Sequence, residues 1–221
     1  MNPFIGTAPS EAHTAGLFGK GTEELGQTLP AVLVPNGMNF WTPQTRDTEQ
    51  KCVAPYYYTD SLLQGFRNSH WIVGGCTQDY GSMTLMPLFG KLRTTPAARA
   101  TRMDKGFELA HPSYYCIELP DEKINAAMTA TSRAAIFQFT YEETGEGYLV
   151  VNPNSDEGQG YIEVDMENRQ IRGYNPVHRI YQGWGEPTGS VKKITLNGKE
   201  ITDHKLRHSD IVEGGELRFI M

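Results

Sequence analysis

Hydrophobic residues in the second half of the chain recur at every second position. Ile124, Ala126, Met128 and Ala130 alternate with polar or small neighbours, and Ala135, Phe137, Phe139 and Tyr141 do the same a few residues on. A period of two places each set on one face of a sheet. These runs predict two strands, with Thr131-Ser132-Arg133 as the hairpin turn or bulge between them. Ile162, Val164 and Met166 alternate with Glu163 and Asp165, and Glu167-Asn168-Arg169 turns the chain into a partner strand from Gln170 to Tyr174. Phe107 to Leu119 predicts two strands around His111-Pro112-Ser113, and Tyr148 to Val151 a short strand ended by Asn-Pro-Asn. Residues 82–92 read as an apolar strand interrupted by Pro87. Near the end, residues 193–201 read as a strand, an Asn-Gly hairpin turn and a second strand. Leu217 to Ile220 is a last strand, and Ile180-Tyr181 another short one.

The first third is less periodic. Residues 2–34 are rich in Gly, Thr and Ala and carry no sustained pattern. Pro35-Asn36-Gly37 is a turn signal, Phe40-Trp41 before Thr-Pro reads as a strand end, and Tyr56-Tyr57-Tyr58 is β-prone. Trp41 and these tyrosines read as core packing. Residues 97–105 read as polar and irregular. Many short strands with turn signals every ~8–12 residues predict an all-β fold, a large antiparallel β-sandwich with few short helices.

Composition narrows the classes. The chain has 221 residues, 38% hydrophobic and 21% charged, enough for a packed core. A net charge of -6 without a basic run argues against nucleic acid or an anionic membrane as partner. No apolar run approaches the ~20 residues of a membrane span. The opening Met-Asn-Pro-Phe lacks the basic start and apolar core of a signal peptide, as expected of a mature exported form and equally of a cytoplasmic protein. Cys52, Cys76 and Cys116 form no Cys-x-x-Cys pair, so zinc or thioredoxin chemistry is not indicated. The odd count leaves at least one thiol free, and whether two of the three pair stays open.

One stretch stands apart from this periodicity. Gly65 to Met86 has neither helical nor strand period, and packs aromatics, a His, a Cys, an Asp and several glycines into one run. Glycine hinges beside Trp, His and Asp are the materials of a polar binding surface. The same run reads equally as a buried loop in which Phe66 and Trp71 anchor the core and Asp79 caps a turn.

This run resembles a loop of the family 92 glycoside hydrolases, the calcium-dependent, inverting exo-α-mannosidases, and other landmarks follow in the family's order. They are Asn-Pro-Phe-Ile-Gly-Thr at 2–7, Val34-Pro35-Asn36-Gly37-Met38, Trp41-Thr42-Pro43-Gln44-Thr45, Asp60 before Gly65-Phe66, Ala130-Thr131-Ser132-Arg133-Ala134, and Tyr174 to Gly189. The resemblance runs from Asn2 to about Gly189 and implies a family N-terminal β-sandwich over 1–189. Residues 190–221 are similar to the family's extreme C-terminus and are expected to complete the same sandwich. The family's helical (α/α)6 domain is not matched. Gly189-Ser190 leads straight into the C-terminal strands, so the junction looks like an internal deletion. Where the family pattern has Gly-His-Thr-Phe-Pro-Gly, this chain reads Gly26-Gln27-Thr28-Leu29-Pro30-Ala31, a departure that leaves Leu29 without an implied sugar contact.

The resemblance also bears on chemistry. An inverting glycosidase needs a general acid and a general base spaced to admit a water. In the family those carboxylates, and the calcium ligands, belong to the helical domain, so no catalytic or metal residue carries over and the chain is expected to be inactive alone. In this chain Asp and Glu read as solvated surface charges. His204 and His208 read as a chance pair, and Asp203, Asp210 and Glu213 lack EF-hand spacing. The resemblance implies that His70, Trp71, Cys76, Gln78 and Asp79 line the leaving-sugar side of an α-1,2-mannoside site. There an indole face would stack on a pyranose. A mannose-containing glycan is then the expected ligand, held weakly without the helical domain, with self-association over the exposed inter-domain face also expected. The alternative is a stand-alone carbohydrate-binding or protein-interaction module. Family members are usually exported.

Overall fold

The computed structural model describes residues 2–9, 26, 28–37, 40–45, 54–69, 83–153, 160–174, 193–196, 199–200 and 217–220. The chain divides into two compact units, residues 1–180 and 181–221.

The first unit is built on two antiparallel four-stranded sheets. One contains β1 (Phe40–Gln44), β3 (Gly65–Ser69), β4 (Met83–Phe89) and β10 (Gly147–Pro153), in the order β1-β3-β4-β10. The other contains β6 (Leu109–His111), β7 (Tyr114–Leu119), β8 (Ile124–Ala130) and β9 (Ala135–Tyr141), as a plain meander β6-β7-β8-β9. Two short strands, β2 (Leu62–Leu63) and β5 (Thr101–Arg102), pair with each other, and β11 (Tyr161–Asp165) pairs with β12 (Gln170–Tyr174). The meander follows the alternation in the sequence. Tyr115, Ile117, Leu119, Ile124, Ala126 and Met128 are buried, with Phe137 and Phe139 packed against them. The turn at 131–133 is closed by the Thr131 N–H donating to Ala134 O at 2.7 Å.

The core lies between the two sheets. The Trp41 ring meets Phe137 edge-on at 4.7 Å, and Phe66 lies within 6.3 Å of Tyr115, Phe137 and Phe139. Aromatic clusters of this kind add to the area they bury. Trp41, Tyr56 and Tyr57 are core residues as expected, whereas Tyr58 is exposed.

Several elements differ from the sequence reading. Gly65–Ser69 is a strand, because the register Thr42↔Arg67↔Thr84 and Pro43↔Phe66↔Leu85 gives β3 a neighbour on each side. Its residues do not alternate in polarity because both of its faces are buried. The strand of Trp41 runs on through Pro43. Trp41 exchanges hydrogen bonds with Val32 on the side away from β3, so Pro43, two residues on, turns its missing N–H to that outer edge. Pro87 likewise does not interrupt β4: the β3 ladder stops at Leu85, while β10 pairs on to Phe89. Pro35-Asn36-Gly37 is the expected turn, with the Gly37 N–H on Val34 O and Asn36 at a φ of 59°, the positive-φ position of a type II turn. Overlapping the start of 97–105 is a one-turn helix, α1 (Pro96–Arg99), capped by the Thr95 hydroxyl and started by Pro96. Arg99 is fully buried and donates to Gln64 O at 2.8 Å and Thr94 O at 2.9 Å.

In the second unit, β13 (Lys193–Leu196) pairs with β14 (Lys199–Glu200) on one side and β15 (Leu217–Ile220) on the other. The two paired strands and the last strand are present as expected, while the Asn197-Gly198 turn lies outside the described residues.

Candidate functional site

His70, Trp71, Cys76, Gln78 and Asp79 all lie outside the described residues, but both stems of their loop are described. Asn68 pairs with Met83, and Ser69 pairs with Phe40 across β1. The run 70–82 therefore joins two strands that are direct neighbours in the sheet, and its ends are held at the Phe40 end of β1. Just below it the register puts Thr42, Arg67 and Thr84 in one row and Trp41, Asn68 and Met83 in the next.

The structure brings other motif residues together at the opposite end of the same strands. Gln44 pairs with Gly65, and its Oε1 accepts from the Thr84 hydroxyl at 2.6 Å. Thr45 donates to Asp60 Oδ2 at 2.8 Å and accepts from the Tyr57 N–H at 3.1 Å. Gly65 is required here: its φ is 147°, and a Cβ would sit 2.4 Å from the Thr84 methyl and 2.7 Å from Leu85 O. Four residue steps along β3 separate this cluster from the loop, roughly 13 Å. Gln44, Thr45 and Asp60 thus fix the frame that holds the loop. Leu29, which stands where the family pattern has Phe, is a core residue.

Two carboxylates correct the expectation that every acidic residue is a solvated charge. Glu108 is buried. Its Oε1 accepts from the hydroxyls of Tyr56 at 2.9 Å and Tyr115 at 2.7 Å, and its Oε2 accepts from Tyr56 at 3.1 Å and Lys105 Nζ at 2.9 Å. The Lys105 ammonium also sits 4.7 Å from the Tyr56 ring centre and 5.1 Å from that of Tyr58. Burial, then the Glu108 charge, pushes the Tyr56 phenol well above its usual range, and the same two causes do so for Tyr115. Glu122, likewise buried, pairs with Arg93 and accepts the Phe89 N–H at 3.0 Å. A buried charge persists only when paired and hydrogen-bonded. Both carboxylates are committed to protein donors, which makes them clasps between segments rather than an acid–base pair. Sequence spacing carried no signal for Glu108, because its partner Tyr56 lies 52 residues away.

Among the described residues no three His, Cys, Asp or Glu side chains converge.

The sequence matches the glycosyl hydrolase family 92 N-terminal domain over residues 1–193. This chain belongs to the family of glycosyl hydrolase family 92 N-terminal domains. Among solved structures, this family 92 domain is similar to the GH92 inverting mannosidase BT2199 from Bacteroides thetaiotaomicron VPI-5482. The two are 33% identical with a TM-score of 0.66, over 80% of this chain and 22% of that one. The fold is also shared with the GH92 α-mannosidase BT3965 from Bacteroides thetaiotaomicron, at 21% identity and a TM-score of 0.63, over 95% of this chain and 29% of that one. The chain thus spans between a fifth and a third of the mannosidases it matches. No sequence among the curated proteins matches it.

Proposed function

We propose that this family 92 N-terminal domain is the non-catalytic, substrate-shaping part of an α-1,2-mannosidase-like glycoside hydrolase. The loop 70–82 forms the wall of the leaving-sugar subsite, with Trp71 as the stacking face and His70, Gln78 and Asp79 as polar contacts. The general acid, the general base and calcium are supplied by a catalytic domain. What supports the reading is the pairing of β3 with β4 directly beneath that loop, in a domain 33% identical to part of an inverting mannosidase. A rigid two-strand stem is the kind of support a binding loop needs. By itself the loop offers half a pocket, and losing most of the buried contact area leaves weak binding.

The test is a titration of the purified chain with α-1,2-mannobiose, followed by NMR, together with an assay for released mannose with and without calcium. Weak, saturable shifts confined to residues 70–82, lost in Trp71→Ala, with no mannose released, are expected. Calcium-dependent turnover that a chelator abolishes would show the chain to be a complete hydrolase. Sugar-induced shifts that avoid the loop would remove its proposed role.

A further inference from the structure

We infer that the outer face of the β6-β7-β8-β9 sheet carries a second saccharide site, separate from the loop 70–82 and built to take a neutral pyranoside. The observation is a hollow of about 300 Å³ on that face, at the lower end of the size range of small-ligand pockets.

The register explains the hollow. Cys116, Ala127 and Gln138 lie side by side across β7, β8 and β9, and Glu118, Asn125 and Thr140 form the next row. The first of these rows contains Ala127 and Cys116, two of the smallest side chains on the face, so the surface dips there. Aromatic walls stand beside the dip. Tyr114, 40% exposed, rises from the start of β7, and Phe107, 60% exposed, comes from the 3-10 turn before β6. Tyr114 and Cys116, two residues apart on β7, lie on the same face of the strand and both line the hollow. Asn125 is held by donating to Glu142 Oε1 at 3.1 Å.

The chemistry of the lining selects the ligand class. Two exposed rings offer faces for the C–H side of a sugar, and amide, carboxylate and hydroxyl groups from Asn125, Gln138, Glu118 and Thr140 offer donors and acceptors for its hydroxyls. Among the described residues no Lys or Arg lines the hollow and the one charge is Glu118, so an anionic ligand such as a phosphate or a sulfated sugar is disfavoured. An all-polar exposed face needs no second aromatic wall, and an apolar protein partner would meet the buried-polar penalty of Gln138, Asn125 and Glu118. A neutral sugar satisfies both sets of groups at once.

The site is tested on the intact chain with α-1,2-mannobiose, cellobiose, maltotriose and N,N′-diacetylchitobiose, by calorimetry and by NMR titration. At least one of these should bind with shifts centred on Cys116, Ala127 and Gln138. Tyr114→Ala should weaken that binding by about 10-fold or more. Ala127→Gln, which fills the floor while leaving both walls in place, should abolish it, and Trp71→Ala should leave it unchanged. Melting curves of Tyr114→Ala and Ala127→Gln that overlay the parent would assign the losses to the site. No binding by any of the four sugars at ~10 mM overturns the proposal. So does binding that tolerates Ala127→Gln. Binding lost only in Trp71→Ala would also overturn it, while supporting the loop 70–82 as the sugar contact. An equal response to a sulfated disaccharide would refute the neutral-ligand assignment.

Discussion

The two four-stranded sheets are made of the same element and differ in what lies on their far sides. The β6-β7-β8-β9 sheet has one face in the core and one open, and its strands turn every second residue inward: in β7 Tyr115, Ile117 and Leu119 are buried, while Tyr114 is exposed. The β1-β3-β4-β10 sheet has its middle strands buried on both faces. Trp41, Phe66 and Pro87 face the core, and Thr42, Gln44, Arg67, Thr84, Met86 and Leu88 on the other face are buried as well. A sheet with one wet face writes its geometry into the sequence as alternation, whereas a sheet dry on both faces does not. The polar residues buried in the second case need partners, as in the bond from Thr84 to Gln44.

The contrast is broken most sharply at Phe66. It is almost wholly buried between the sheets, so Phe66→Ala should cost about 3–5 kcal/mol, read as a large drop in the urea midpoint. A loss below about 1 kcal/mol would mean that the sheets do not share one core. Next comes the clasp. Glu108→Ala leaves two buried tyrosine hydroxyls without their acceptor and Lys105 without its counter-charge, and should cost about 3 kcal/mol by chemical denaturation. Tyr115→Phe, which removes only one donor, should cost about 1 kcal/mol.

The same clasp predicts a pH dependence. The phenols of Tyr56 and Tyr115 are raised in the folded protein by burial and by Glu108. Below pH ~10 both are neutral folded and unfolded, and their contribution to stability is fully present. Above it the unfolded chain ionises them while the folded chain does not, so stability should fall by about 1.4 kcal/mol per group per pH unit. Absorbance at 295 nm should show these two among the 11 tyrosines ionising only as the protein unfolds, and Tyr56→Phe should shallow the fall in melting temperature. Smallest of all is the open face. Ile136 on β9 is 71% exposed, and Ile136→Thr should move the melting midpoint by no more than about 0.5 kcal/mol equivalent. A large loss there would mean that the outer face is covered and would end its description as an open surface.

These differences decide how much was legible beforehand. The meander β7-β8-β9, the β11–β12 hairpin and the β13–β14 and β15 strands followed directly from alternation and turn residues. The capped turn of helix at Pro96 leaves no trace in the hydrophobic pattern because four residues carry no periodicity; its only local signal is Thr95-Pro96, an N-cap signature. Gly65–Ser69 read as loop because Arg67 and Asn68 sit where an open sheet would alternate. The loop residues His70, Trp71, Cys76, Gln78 and Asp79 came from family resemblance rather than from periodicity, and their stem emerged only from the pairing of β3 with β4.

By itself the sequence determined the all-β class, the run of antiparallel neighbours and the membership in family 92, because these rest on contacts between residues near in the chain or on motifs kept in order. Only the tertiary structure decided that β1 and β3 pair, that Pro43 and Pro87 are tolerated within strands, that the side chains of Glu108 and Glu122 are buried, and that Cys116, Ala127 and Gln138 meet across one face. In each case the deciding partner lies on another strand or segment. A residue's burial and charge environment depend on that partner, and local spacing does not encode its distance along the chain.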